Sequence, residues 1–139
     1  MEKTKIASLK KSDLSVGFNR ILKLEDPKIG EGHSELTMVV REELLRSHHL
    51  LHGGVCVALI DCAVGIADYS FCPEGFNVLT AQLNVNFTRP AKEADRLTAA
   101  ADVEHHGKKT AVVNCKVHDQ SDNLIATASA TSMFVPLRD

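Results

Sequence analysis

Apolar and polar residues alternate along most of this chain, but from Leu50 to Ala67 the apolar ones run together. The stretch LLHGGVCVALIDCAVGIA starts near His-Gly-Gly and stays apolar until Asp61 interrupts it. That run predicts a helix from about Gly53 to Tyr69, ended by the Pro-Glu-Gly that follows. A helix apolar nearly all round must be covered on several sides. A mid-bilayer Asp costs roughly 2.5–3.5 kcal/mol, so Asp61 argues for a buried core helix rather than a membrane span.

Strand patterns flank the helix. ILKLED and HSELTMVV alternate, with PKIGEG between them as a turn-rich loop. A short helix over residues 12–20, capped by Ser12 or Asp13, is expected before them. REELLRSHHLLHGG reads as a loop leading into the long helix. Beyond it, LNVNFT puts Leu83, Val85 and Phe87 on one face. RLTAAADVEHH and TAVVNCKVHD flank a Gly-Lys turn, and HDQSDN turns into LIATASATSMFV. In that last strand Ala126, Ala128 and Ala130 share a face, a row low enough for a helix to lie close. The order strand, strand, helix, four strands predicts an α+β class, an antiparallel sheet curled around one buried helix. A single sheet covers only part of such a helix, so a second copy of the domain is expected as the remaining wall. With 139 residues and no repeat or linker, the chain reads as one domain, residues 1–14 being an N-terminal extension.

Composition excludes more than it assigns. A net charge of −2, no Trp and 4% aromatic residues leave neither a basic field nor a stacking surface for nucleic acid. The four cysteines form no CxxC pair and are read as reduced core residues. MEKTKIASLKKSDL has no apolar signal segment, so a cytoplasmic location, away from membranes, is expected.

Candidate chemistry gathers at the helix start. The first turn of a helix has unpartnered N–H groups and partial positive charge, and Gly53 and Gly54 let a ligand oxygen approach them. A carbonyl gaining negative charge would be stabilised there. The plainer reading is a glycine-rich loop that merely starts a helix. Burial in an apolar helix would raise the pKa of Asp61 and make it a stronger base once ionised. The plainer reading there is a carboxylate paired for structure. His48, His49 and His52 with Asp61 offer a rival metal set, but the glycines start the helix only after His52, unlike helical His-pair sites. His33, His105, His106 and His118 fall in or beside turns and are expected to be solvated.

LLHGGVCVALIDCAVGIA, LNVNFTRPAKEADRL, HHGKKTAVVNCKV and DNLIATASATSMFV together resemble the hotdog-fold acyl-CoA thioesterases, phenylacetate-degradation type, over roughly residues 15–136. The resemblance implies a hotdog fold, hydrolysis of an acyl-CoA to acid and CoA, and no metal or redox cofactor. It makes Asp61 the catalytic carboxylate, as general base or nucleophile. It makes Gly53 the N–H donor to the thioester carbonyl and His52 the motif histidine beside it. Thr80 falls where the family often has a water-positioning hydroxyl. Gly54, Arg89, Lys92 and the turn His106, Gly107, Lys108 and Lys109 resemble segments that meet CoA, whose phosphates need cations. One position departs: six residues before His52 the family usually has Asn or Gln, and here stands Arg46, which has no acceptor for a water.

Gly53 and Asp61 are eight residues apart, about 12 Å along a helix, too far to serve one carbonyl. A homodimer with sites shared between protomers is therefore expected, within a dimer of dimers. Two other functions are open to such a domain. A hotdog hydratase would need a G-D-x-N-P-x-H-like segment, which the sequence lacks. A non-catalytic acyl-CoA-binding hotdog protein would need no carboxylate on the helix.

Overall fold

The computed structural model describes residues 14–138. A short helix, α1 (Asn19–Leu22), leads into strands β1 (Glu25–Gly30) and β2 (His33–Val39). Two short paired strands, β3 (Leu45–Arg46) and β4 (Leu50–Leu51), precede the long helix α2 (Gly53–Tyr69). Strands β5 (Phe76–Phe87), β6 (Arg96–His106), β7 (Thr110–His118) and β8 (Leu124–Pro136) complete the order. Six strands form one antiparallel sheet in the order β1-β2-β6-β7-β8-β5.

The sheet wraps α2 because its inward positions are apolar and, where the helix lies closest, small. Leu36 and Met38 of β2, Leu97, Ala99 and Ala101 of β6, and Val113, Cys115 and Val117 of β7 are all buried. Ala126, Ala128 and Ala130 of β8 are buried on the same side, as their spacing predicts. Against them pack Leu59, Ile60, Ala63, Val64 and Ala67 of α2. The Ser34 hydroxyl of β2 also donates to the Ala63 carbonyl at 2.6 Å. All four cysteines are free, three of them buried. Burial pushes the thiols of Cys56 and Cys115 up to about 11 and about 12, and that of Cys62, with Asp61 adding to it, to about 11. No helix among the described residues is long and apolar enough to cross a membrane.

Several expectations are corrected. Pro27 to Gly30 belong to β1, not to a loop, and only Glu31 and Gly32 turn the chain. Pro27 is tolerated because β1 is an edge strand, bulged between Glu25 and Lys28. Gly32 takes a left-handed φ of 66° and donates its N–H to Ser70 Oγ at 2.8 Å, tying this turn to the end of α2. A Cβ there would meet the Phe71 ring at 2.8 Å, so glycine is required. The short helix lies later than expected, at Asn19–Leu22; its expected caps, Ser12 and Asp13, lie outside the described residues. Of the expected 1–14 extension only Leu14 is described, and it is buried in the core.

One side of α2 is only partly covered, and Asp61 on it is exposed. Ala58, Asp61, Cys62, Gly65 and Tyr69 recur at three- and four-residue steps, and none is fully buried. Beside this stripe the sheet ends in β5, twelve residues without a proline, whose outer edge pairs with no other strand among those described.

Candidate active site

The approach to α2 is a tight chain reversal. Ser47–His49 turns with His48 and His49 both left-handed, at φ 65° and 59°, so that β4 folds back on β3 and Arg46 pairs with Leu50. Leu51 donates its N–H to the Ala91 carbonyl at 2.8 Å, and His52 donates to that of Leu44 at 3.0 Å. These bonds fix the loop beside the segment that follows β5. Between them lies a cleft of about 380 Å³, lined by Arg46, Leu50, Leu51, Gly53 and Cys56, by Phe87 to Ala91, and by Ile125.

The helix start treats its two glycines differently. His52 is the N-cap, and its Nδ1 accepts from the Gly54 N–H at 2.9 Å. A Cβ on Gly54 would sit 3.0 Å from that ring atom, so the cap depends on glycine there. Gly54 therefore serves the cap, and its N–H is not free for a ligand as expected. The Gly53 N–H meets no acceptor among the described residues, and Gly53 lines the cleft together with Phe87. A Cβ on Gly53 would lie 3.3 Å from the Phe87 ring. His52 thus acts through the cap, and no three His, Cys, Asp or Glu side chains among the described residues come together as a metal-holding group.

Asp61 stands two turns along α2 on the partly covered stripe. The burial expected of it is not found in the protomer, where it is exposed. Thr80 Oγ1 donates to Asp61 Oδ1 at 2.7 Å. Thr80 sits at the edge of a bulge in β5, between Thr80 and Gln82 in the pairing with β8, and bulges re-aim side chains. Asp61 is not among the residues lining its own chain's cleft.

The expected CoA-facing cations divide. Arg89 lines the cleft, whereas Lys92 lies beside it, bridged to Leu50 through the backbone and donating its N–H to Asp95 Oδ2 at 2.9 Å. The turn from His106 to Lys109 lies elsewhere. His106 stacks on Phe71, just past the C-terminal end of α2, with ring centroids 4.0 Å apart. Seventeen residues of helix, about 25 Å, separate that end from Gly53. One protomer does not bring Lys108 and Lys109 to its own cleft. His33 and His106 are also not simply solvated, since His33 Nδ1 lies 2.7 Å from Asp102 Oδ1.

The sequence reading missed Asp68. It lies two turns beyond Asp61, so the spacing alone was a signal. Its side chain is fully buried, and neither carboxylate oxygen has a hydrogen-bond partner, nor does the buried Ser132 hydroxyl. Burial pushes the Asp68 carboxyl up to about 6, while the nearby Ser132 hydroxyl pulls the other way without reaching bonding geometry.

Known proteins resemble this arrangement. The acyl-coenzyme A thioesterase PaaI of Escherichia coli (strain K12) is 33% identical over 96 residues, which make up 69% of this chain and 66% of that protein. The solved E. coli PaaI protein from the phenylacetic acid degradation operon aligns with a TM-score of 0.84 at 24% identity, covering 99% of this chain and 97% of that one, a likeness of fold. A hypothetical thioesterase of Streptococcus pneumoniae TIGR4, solved with coenzyme A, aligns with a TM-score of 0.74 at 26% identity, over 84% and 87% of the two chains. The protein smu.793 of Streptococcus mutans UA159, bound to acetyl CoA, does so at 0.73 and 27%, over 83% and 93%. The sheet-wrapped helix is the hotdog fold that the resemblance implied. Residues 48–126, which carry the cleft loop, the helix and three of the strands around it, match the thioesterase superfamily, and the chain belongs to that superfamily.

Proposed function

We infer that this protein hydrolyses an acyl-CoA thioester to a free acid and CoA, at a site built by two copies of the chain. The observation that carries this reading is the Thr80–Asp61 hydrogen bond on the partly covered side of α2. An exposed carboxylate held by one hydroxyl has its remaining lone pairs free for water or substrate. Coenzyme A and acetyl CoA in two structural neighbours support an acyl-CoA ligand.

The site works in two halves. The thioester carbonyl rests on the Gly53 N–H of one protomer, where the helix end favours developing negative charge. Asp61 of the other protomer takes a proton from water as the water attacks, or attacks the carbonyl itself. The open edge of β5 and the partly covered stripe of α2 support a two-fold pairing, since both need covering. Such a pairing puts the far end of one helix near the other chain's cleft, so Lys108 and Lys109 can meet CoA phosphates held there. Lys92 and Arg89 serve the ligand from the near side.

A panel of acyl-CoAs with a thiol-reactive dye tests the activity. The reading expects thiol release with at least one acyl group. CoA binding with no thiol released from any of them would make this a binding module instead.

A further inference from the structure

Gly65 is a glycine that its own chain does not need. It lies in the interior of α2, where glycine is a poor helix former. Its φ is not left-handed, and a Cβ built on it would meet nothing within 4 Å. Gly32 and Gly54 differ, since a Cβ there would strike the Phe71 ring or crowd that of His52. The room over Gly65 is therefore left open to something outside the protomer's own packing.

That room lies one turn beyond Asp61. In a helix turning about 100° per residue, Gly65 points between Asp61 and Cys62, about 40° from the first and about 60° from the second. Each of those neighbours is held from a different side. Thr80 of β5 donates to Asp61, and the Cys62 thiol donates to Asn19 Oδ1 of α1 at 3.1 Å. Gly65 is thus the floor of a groove with β5 on one flank and α1 on the other. The α1 wall is fixed: Leu22 is fully buried, and the Ile21 carbonyl accepts from Arg41 at 2.5 Å. Phe18 and Ile21, on either side of Asn19 along the chain, each leave more than half of their surface exposed.

The partner's helix does not fill this groove. Two-fold pairing with Gly53 of one chain opposite Asp61 of the other makes the helices antiparallel. The partner's α2 then begins opposite Asp61 and runs back toward Gly53. Gly65 lies four residues beyond that beginning, about 6 Å along the axis. The substrate does reach it. With the carbonyl oxygen on Gly53 of one chain, the sulfur leads into that chain's cleft, and the acyl carbon leaves in the other direction, past Asp61.

Resting on the thioester reading above, we propose that this groove holds the acyl group, and that Gly65 and the α1 residues Phe18 and Ile21 select uncharged, apolar acyl chains longer than acetyl. Open space at Gly65 admits the chain, and Phe18 and Ile21 offer it apolar surface. Ala58, Cys62 and Gly65 bring no charge, and Asp61 at the mouth repels a second carboxylate.

The test measures kcat/KM on straight-chain acyl-CoAs from acetyl to decanoyl, and on succinyl-CoA, for the wild type, Gly65→Ala, Gly65→Leu and Phe18→Ser. The wild type is expected to favour a chain longer than acetyl, and butyryl-CoA over succinyl-CoA, which has the same number of acyl carbons. Leucine fills the groove, so in Gly65→Leu the ratio of kcat/KM for the favoured chain to that for acetyl should fall about 10–200-fold, the range for methylene-scale misfits. Gly65→Ala and Phe18→Ser should lower the ratio by less. Thermal melting checks folding, and sedimentation checks that Gly65→Leu pairs as the wild type does. An unchanged chain-length profile in Gly65→Leu overturns the proposal. So does a Gly65→Leu chain that no longer pairs while Gly65→Ala keeps the wild-type profile, because the room would then belong to the second copy. Succinyl-CoA hydrolysed as fast as butyryl-CoA overturns it as well. A wild type that releases thiol from none of these substrates fails the thioester reading itself, which is a different result.

Discussion

Two aspartates on one helix have opposite surroundings. Asp61 and Asp68 are seven residues apart, two turns of α2, and both side chains lie near a hydroxyl from the sheet. Those hydroxyls belong to Thr80 and Ser132, which are directly paired across β5 and β8. Asp61 is exposed and accepts from Thr80 at 2.7 Å; Asp68 is fully buried, with both oxygens unpartnered. Cys72, Ala111 and Phe134 form a second small core at the C-terminal end of the helix, whereas at Asp61 the side chain lies on the face that the sheet does not cover. Helical spacing therefore does not settle what a carboxylate does. What covers the helix at that turn settles it: one group is left ready for chemistry, the other costs stability.

The largest effect expected from this contrast is on turnover at Asp61. Asp61→Asn keeps the size and removes the base, so thiol release from acyl-CoA should fall by about 10²–10⁴, with the melting temperature nearly unchanged. Asp68→Asn should do the reverse, leaving kcat close to wild type and changing stability with pH. A carboxyl raised from 3.8 to about 6 on folding carries no penalty below the lower value, where both states are protonated. As pH rises from about 4 to 6 the unfolded chain ionises first, so the folded state loses ground; above about 6 the loss is constant. Roughly two pKa units correspond to about 3 kcal/mol, which Asp68→Asn should regain at pH 7 and not at pH 4, read by urea unfolding. Equal stability of the two proteins at both pH values would remove Asp68 from the contrast. The smallest effect belongs to the hydroxyl. Thr80→Val removes the bond to Asp61 and should lower kcat about tenfold, the scale of one hydrogen bond to a charged group, with little change in KM.

How far the sequence discloses this depends on which forces a segment obeys. The bounds of α2 were readable because an apolar run stands between His-Gly-Gly and Pro-Glu-Gly, and those of β6 because the Gly107 turn closes it. β1 was misread because Pro27 and Gly30 look like turn residues, and only its place at the sheet edge makes a proline harmless. Asp61 as a candidate was visible from its composition and spacing, but its exposure was not. An all-apolar helix does not announce which side the sheet leaves open. Asp68 escaped because Tyr69 and Ser70 after it read as the end of the helix, whereas the second core lies over that very turn. The neighbourhood of Arg46 and Gly53 depends on two consecutive left-handed histidines, and His48 and His49 carry no sequence sign of that conformation.

The central claim is that Asp61 serves the cleft of the other chain. Mixing two inactive variants, Asp61→Ala and Gly53→Val, unfolding them together and refolding them tests it most directly. Valine at position 53 would press on the Phe87 ring and block the carbonyl's approach. If the halves are shared, about half the refolded dimers are hybrids, each with one intact site of two, and about a quarter of wild-type activity returns. If hybrid dimers are shown to form and the mixture stays as inactive as its parents, the shared site is contradicted.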